Sequence, residues 1–144
     1  MTRTLRYLLT KFGRDTSGTS AIEFALISPV LIACVVALSD VNSVQFQAAN
    51  MQTGVRAGIQ YALKGGTDAT TMQTQANAAW TNKPSGGTLT ATKACKCAGV
   101  SHACDTLCDD YTPSQIYMTV TATATIGGSY ISIAKTTTET VRVR

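Results

Sequence analysis

The chain has 144 residues, of which 44% are apolar and 14% charged, with a formal net charge of +4 at pH 7. This length suits one compact domain at most, and the high apolar share beside so few charges indicates a membrane segment. Four of the twelve basic residues lie in the first 14 positions, so residues 19–144 carry eight basic against seven acidic side chains, and this near balance predicts no nucleic-acid partner.

A basic leader, residues 1–18, opens the sequence and contains no acid before Asp15. Short flanks rich in lysine and arginine stay in the cytoplasm, so the leader predicts an N-terminus on that side of the membrane. The basic residues that carry this prediction are Arg3, Arg6, Lys11 and Arg14.

An apolar run of 18 residues follows, from Ala21 to Leu38. At about 1.5 Å per residue it would be about 27 Å long as a helix, close to the minimum that crosses a bilayer. We expect a single transmembrane helix over 21–38, whose interruptions are Glu23, Ser28 and Pro29. A secretory signal peptide, cut after the run near Ser39, is the competing interpretation.

The helical pattern continues beyond the apolar run, because apolar residues recur at alternating three- and four-residue spacing. These positions are Val41, Val44, Ala48, Met51, Val55, Gly58 or Ile59, and Ala62. Small residues between them allow another helix to approach closely. Gly65 and Gly66 provide a glycine C-cap, so the sequence predicts one long helix over 19–64, transmembrane and then amphipathic.

The remainder, 65–144, is predicted to form a small α+β domain. A shorter helix is expected over 67–82, with Thr67 or Asp68 as its N-cap. The clearest strand, 115–126, alternates between an apolar face and a threonine-rich face. Further strands are expected over 88–93, 130–134 and 136–144. The predicted fold class is therefore α+β, with the long helix packed on the apolar face of an antiparallel sheet.

The cysteine-rich loop, 94–108, contains four cysteines and the only histidine of the chain, His102. Their Cys-x-Cys and Cys-x-x-x-Cys spacing matches structural zinc sites poorly, and an extracytoplasmic location favours two disulfides instead. A bridge between the first two cysteines would close a strained ring. We therefore expect each of them to pair with one of the last two, in an order that the sequence leaves open. The four are Cys95, Cys97, Cys104 and Cys108.

No catalytic, metal or cofactor site is expected. A Cys–His nucleophile pair is not expected where the thiols are in disulfides. The adjacent Asp109 and Asp110 are more typical of a turn than of acid–base catalysis. Cys34, inside the apolar run, is expected to serve as a small apolar helix residue.

Residues 18–30 read GTSAIEFALISPV. A glycine ends the basic leader, an acid and an aromatic residue take the fifth and sixth positions after it, and an apolar helix follows. This resembles the prepilin-peptidase recognition site of type IV pilin-like proteins, and it is closest to the TadE-like pseudopilins, minor pilins of the tight-adherence (Tad/Flp) pilus. A CKCAG loop, the strand IYMTVTATATI and a final VRV extend the resemblance, which is strong at 13–38 and looser at 95–144.

The resemblance implies that a prepilin peptidase cuts between Gly18 and Thr19 on the cytoplasmic side, with Glu23 and Phe24 completing the recognition site. The apolar helix then stays on the mature chain, whereas signal-peptidase cleavage would remove it. Gly18 has no side chain to obstruct a protease around an extended backbone, which agrees with a cut at this position.

Two residues of the apolar run are expected to act in subunit assembly. Glu23 would pair with the new α-ammonium of Thr19, in its own helix or in a neighbour's; the alternative is a carboxylate that only reaches the headgroups. Pro29 removes a backbone hydrogen bond toward the carbonyl of Ala25 and is expected to loosen the helix, unless Ser28 compensates.

The resemblance implies a non-catalytic minor, initiating or tip-like subunit that acts in pilus assembly and thereby in adhesion. The implied partners are the prepilin peptidase, other pilin and pseudopilin subunits, the inner-membrane assembly platform and the lipid bilayer. The C-terminal domain would be periplasmic, or on the cell surface after assembly. Two rivals stay open: a single-pass anchored binding module outside any pilus, and a secreted protein released near Ser39.

Overall fold

The computed structural model describes residues 18–143, so residues 1–17 of the predicted leader and Arg144 lie outside the described part. The chain divides into two compact units, Met1–Leu38 and Ser39–Arg144. The elements, in chain order, are α1 (Thr19–Leu63), α2 (Ala69–Ala79), β1 (Thr88–Cys97), β2 (Val100–His102), β3 (Gln115–Gly127) and β4 (Ser132–Arg142). The α+β fold class is confirmed.

The described part of the N-terminal unit is the first half of α1, and none of its side chains is buried. Large apolar residues cover its surface on every side, including Phe24, Leu31 and Val35. The helix is long and apolar enough to cross a membrane, and it is the only such helix among residues 18–143. Within the described residues 18–38 this apolar helix surface has no protein core to pack against, which agrees with a lipid environment.

In the C-terminal unit, one side of α1 is buried against the rest of the domain. Its fully buried side chains include Met51, Val55 and Ala62, which confirms most of the predicted apolar face. Val41, however, is exposed, and Asp40 takes the inward position instead. Val44 is four positions after Asp40, so both lie on the same side of the helix.

The C-terminus of α1 has the predicted glycine cap. Gly65 adopts a left-handed backbone with φ of 91°, which only glycine adopts at little cost. The Gly65 N–H donates to Ala62 O at 2.9 Å and the Gly66 N–H donates to Tyr61 O at 3.1 Å. These two bonds form a Schellman motif, which satisfies carbonyls that the end of the helix leaves free.

The four strands form one antiparallel sheet in the order β2-β1-β3-β4. As predicted, β3 alternates strictly, because its apolar side chains from Ile116 to Ile126 are buried while its threonines face outward. On the outward face the threonines of β3 and β4 stand opposite one another and hydrogen-bond across the strands. The hydroxyl pairs are Thr119–Thr140 at 2.8 Å, Thr121–Thr138 at 3.1 Å and Thr123–Thr136 at 3.3 Å.

Helix α2 packs into a gap that two glycines open in α1. A Cβ on Gly54 would lie 2.8 Å from Trp80 Cβ, and one on Gly58 would lie 3.1 Å from Ala76 Cβ. The absence of side chains therefore lets the two helices approach closely, as predicted. Asp68 caps α2 by accepting a hydrogen bond from the Thr71 N–H at 2.6 Å.

Several boundaries differ from the predicted ones. Strand β1 continues to Cys97 rather than ending at 93, because its pairing with β3 runs as far as Lys96 opposite Gln115. The short β2 was not predicted, and it forms because the chain turns back at Gly99, whose φ is 87°. The two predicted C-terminal strands are a single strand, β4, whose pairing with β3 is continuous through Lys135. Helix α2 is shorter than predicted at both ends.

Replacing Gly54 by valine is expected to lower the free energy of unfolding by about 1–3 kcal/mol, because the new side chain would overlap Trp80 at the α1–α2 contact. Denaturant unfolding of the full chain in detergent, followed by circular dichroism, measures this change. Thr53→Val places the same side chain on the exposed side one residue away and is expected to shift stability by less than about 0.5 kcal/mol. Equal effects of the two substitutions would contradict the close packing described here.

Candidate functional site

The predicted processing site lies at the start of α1. Gly18 is exposed. Apart from its chain neighbours, no atom of the described residues lies within 4 Å of where a Cβ would stand, and the α-helix begins at Thr19. Glu23 and Phe24 lie in the first two turns, and both are exposed. The residue before the predicted cut therefore lies in a 3-10 turn that leads directly into α1.

Pro29 does not interrupt α1, which is continuous from Thr19 to Leu63. Proline cannot donate the hydrogen bond that the carbonyl of Ala25 would otherwise accept. The Ser28 hydroxyl donates to this carbonyl at 3.2 Å instead. Of the two expected outcomes for Pro29, the structure shows the one in which Ser28 compensates, since the serine hydroxyl satisfies the backbone carbonyl that proline leaves free within the apolar run.

Asp40 joins α1 to the turn between β3 and β4. Its carboxylate accepts three successive backbone N–H groups, from Ser129 at 2.9 Å, Tyr130 at 2.7 Å and Ile131 at 3.0 Å. Asp40 is 5% exposed. A buried carboxylate with three donors is well satisfied, and the same bonds fix the turn against the helix.

Gln47 makes a second connection, two helical turns further along α1. Its side-chain amide donates to Gly127 O at 2.7 Å and accepts from Gly127 N at 3.2 Å. The adjacent Gly128 lies so close to Asp40 that a Cβ on it would overlap the carboxylate. We call Asp40 and Gln47, with their bonds to residues 127–131, the turn latch.

The turn latch holds the pKa of Asp40 below its ordinary value of 3.8. The largest causes are the hydrogen bonds from the Ser129 and Tyr130 backbones, which favour the ionised form, while partial burial opposes them. The sequence pattern did not find this residue, because an apolar residue, Val41, also fits the helical spacing. The signal available was an acid four residues before Val44 combined with the glycine pair 127–128.

Two disulfides organise the cysteine-rich loop. Cys95 pairs with Cys104, and Cys97 pairs with Cys108. Each of the first two cysteines is thus joined to one of the last two, as predicted, and the structure supplies the order. Because all four thiols are used in bridges, they are not available as zinc ligands. Cys34 is a free, exposed residue of α1.

The rest of the cysteine-rich loop is a set of turns. The Asp110 carboxylate accepts from the Thr112 N–H at 3.2 Å and from the Thr112 hydroxyl at 2.6 Å, and these bonds lower the pKa of Asp110. This local pattern is typical of an aspartate in a turn, as expected for the Asp109–Asp110 pair. His102 ends β2 and lies within hydrogen-bonding distance of the Thr106 hydroxyl, at 3.2 Å. Within 18–143 no group of three or more His, Cys, Asp or Glu side chains could hold a metal ion.

Comparison of the chain with protein-family models, with curated proteins and with solved structures finds no match.

Replacing Asp40 by asparagine is expected to lower the melting temperature of the full chain in detergent at neutral pH, because one amide oxygen cannot replace the carboxylate toward three N–H donors. The pKa of Asp40 is lower in the folded chain than in the unfolded one. Its stabilisation is therefore fully present above the ordinary pKa and is lost as the pH falls through the folded one. The melting temperature of the native chain should fall over this acidic range more steeply than that of Asp40→Asn.

Asp105→Asn, in the exposed part of the cysteine-rich loop, is the matched control and should retain the native acid dependence. The turn latch would be refuted if Asp40→Asn and Asp105→Asn melted at the same temperature at neutral pH.

Proposed function

We propose that the chain is a TadE-like pseudopilin, a minor subunit of a Tad pilus, and that a prepilin peptidase cuts it after Gly18. The observation that carries this proposal is the coincidence of the sequence motif with the helix boundary. The glycine that ends the basic leader is also the last residue before α1, so the cut would release a chain that begins with its helix.

The surface of the N-terminal unit supports retention of the helix after the cut. Its apolar side chains are exposed throughout the described part, and the helix continues without a break into the residues that pack on the sheet. Removal of residues 21–38 by a signal peptidase would cut within this continuous helix, directly before Asp40 and the turn latch. Cleavage after Gly18 leaves both the membrane segment and the latch intact.

Glu23 is proposed to pair with the α-ammonium of Thr19 once the leader is removed. One helical turn separates the two residues, which brings the carboxylate and the new N-terminus to the same side of α1. A carboxylate in an apolar helix needs such a partner, because an uncompensated charge near hydrocarbon is costly. In an assembled pilus the partner would be the N-terminus of a neighbouring subunit.

The C-terminal unit supports an extracytoplasmic location for the part beyond the membrane segment. Two disulfides persist in oxidising compartments such as the periplasm and are rare in the cytoplasm. With the N-terminus cytoplasmic and the C-terminal unit periplasmic, the chain would sit in the inner membrane beside the pilus assembly platform. We propose a structural and non-catalytic role there, in pilus initiation, assembly or tip formation and thereby in adhesion.

One observation favours the second candidate, an anchored binding module outside any pilus. A cleft opens beside the cysteine-rich loop and is lined by charged and polar side chains as well as by the second disulfide. The polar groups include Lys96, His102, Asp109 and Asp110. A cleft with both polar and apolar lining can accept a ligand, but it is open and contains no group that the structure singles out for chemistry.

Replacing Gly18 by tryptophan is expected to block maturation, because a bulky side chain would occupy the position next to the scissile bond. In cells with an active Tad system, the variant should accumulate as a precursor that migrates more slowly on a gel than the mature chain. Gly13→Trp introduces the same side chain five residues upstream and is expected to be processed. Normal mobility of the Gly18→Trp variant would refute the proposed cut.

Replacing Glu23 by alanine is expected to spare membrane insertion and to reduce surface piliation strongly, because the charge pairing with Thr19 is lost. Electron microscopy of the cells measures pili, and sedimentation with membranes measures insertion. Glu23→Asp keeps the carboxylate and is expected to retain more pili than Glu23→Ala. Full piliation of the alanine variant would show that Glu23 has no role in assembly.

A further inference from the structure

The turn between β3 and β4 presents large apolar side chains to solvent. Tyr130 is 80% exposed, Ile133 is 49% exposed, and Ile131 is 41% exposed. Val41, next to Asp40 in α1, is 49% exposed. We call these four residues the turn patch. A group of neighbouring exposed apolar side chains marks a contact surface more often than scattered single ones do.

The hydrogen bonds of the turn latch hold the side chains of the turn patch next to one another. The three N–H groups that Asp40 binds belong to Ser129, Tyr130 and Ile131, so the tip of the turn lies against the helix at that position. The Gln47 side chain hydrogen-bonds both the N–H and the carbonyl of Gly127, just before the turn. Because the backbone is fixed at both places, the exposed side chains of the turn cannot withdraw into the core.

Chain connectivity puts the turn patch close to the end of the predicted membrane segment. Asp40 is the second residue after Leu38, and two residues span at most about 7 Å in any backbone conformation. The polar headgroup layer extends about 5–7 Å beyond the hydrocarbon on each side of a bilayer. When residues 21–38 span the hydrocarbon, chain connectivity therefore keeps a turn that is hydrogen-bonded to Asp40 within reach of this layer.

We propose that the turn patch is a second membrane contact, in which Tyr130, Ile131 and Ile133 enter the headgroup layer on the side where the membrane segment ends. Tyrosine is enriched at this depth because its ring is apolar and its hydroxyl stays hydrated. The three turn N–H groups are already satisfied by Asp40, so these donors lose no water partner on entering the layer. The inference rests on membrane anchoring by residues 21–38 and is independent of cleavage after Gly18.

The charge pattern favours a lipid surface over a protein partner. From Tyr111 to Ala134 the chain carries no charged side chain, which covers β3, the turn and the start of β4. The first charge after the turn, Lys135, lies opposite Ala124 within the sheet. The turn itself brings no charge to the lipid, and the Asp40 carboxylate that it contacts is only 5% exposed and already accepts three N–H groups. The turn patch is continuous in sequence with the membrane segment through Val41 and Asp40.

Quenching of tryptophan fluorescence by spin-labelled lipids tests this inference on the full chain in phosphatidylcholine vesicles, at a protein-to-lipid ratio that separates the copies. Tyr130→Trp probes the turn patch. Tyr111→Trp is the matched control, because Tyr111 is 86% exposed and the length of β3, about 40 Å at ~3.3 Å per residue, separates it from the turn. Leu31→Trp reports whether the membrane segment is inserted. The signal of the native chain, which contains only Trp80, is subtracted from each.

Headgroup-labelled lipid is expected to remove most of the Tyr130→Trp signal, lipid labelled at the chain end should remove less of it, and the Tyr111→Trp signal should be unchanged. The inference is overturned if Leu31→Trp is quenched but Tyr130→Trp is quenched no more than Tyr111→Trp. That result would mean that the turn contacts solvent or another protein instead of lipid. It is also overturned if lipid labelled at the chain end does not quench the fluorescence of Leu31→Trp. That result would show that residues 21–38 are not inserted in the membrane. A failure of cleavage after Gly18 would leave the quenching pattern unaffected.

Discussion

The contact between the inner side of α1 and the apolar face of β3 is the interaction on which the C-terminal unit depends. Gly54 and Gly58 let α2 and the sheet approach the helix closely, and the buried Met51 and Val55 fill the space between. At one end of this contact the turn latch from Asp40 fixes the β3–β4 turn with charge-assisted hydrogen bonds. Without the helix, the apolar face of the sheet would be exposed to water, which a sheet of this size cannot tolerate.

A single helix therefore serves two environments. Up to Leu38 its side chains are exposed on every side, and after Ser39 one side is buried against the sheet. Asp40 is the next residue after Ser39, and its carboxylate is compensated by three backbone N–H donors. Because this charge is satisfied by hydrogen bonds, the packed C-terminal unit can begin within two residues of the candidate membrane segment.

Much of the fold could be predicted because it depends on local periodicity. The two-residue alternation of β3 and the glycine cap of α1 are readable in the sequence, and both were confirmed. The inward position of Asp40 does not follow from helical spacing alone, since it depends on N–H groups 89 to 91 residues away in the chain. The pairing order of the disulfides and the strand β2 likewise depend on how the loop turns back at Gly99, which no local pattern specifies. At the proposed processing site, the sequence contains the motif, and the structure shows that the α-helix begins at Thr19.

The central claim is that the chain matures by losing its leader and keeping its apolar helix. Sequencing the N-terminus of the mature protein, extracted from the membranes of cells that make it, tests this claim most directly. A chain that begins at Thr19 is the predicted result. A chain that begins at Met1 or Thr2 would contradict it in favour of a simple anchor, and one that begins near 39–43 would contradict it in favour of a secreted protein.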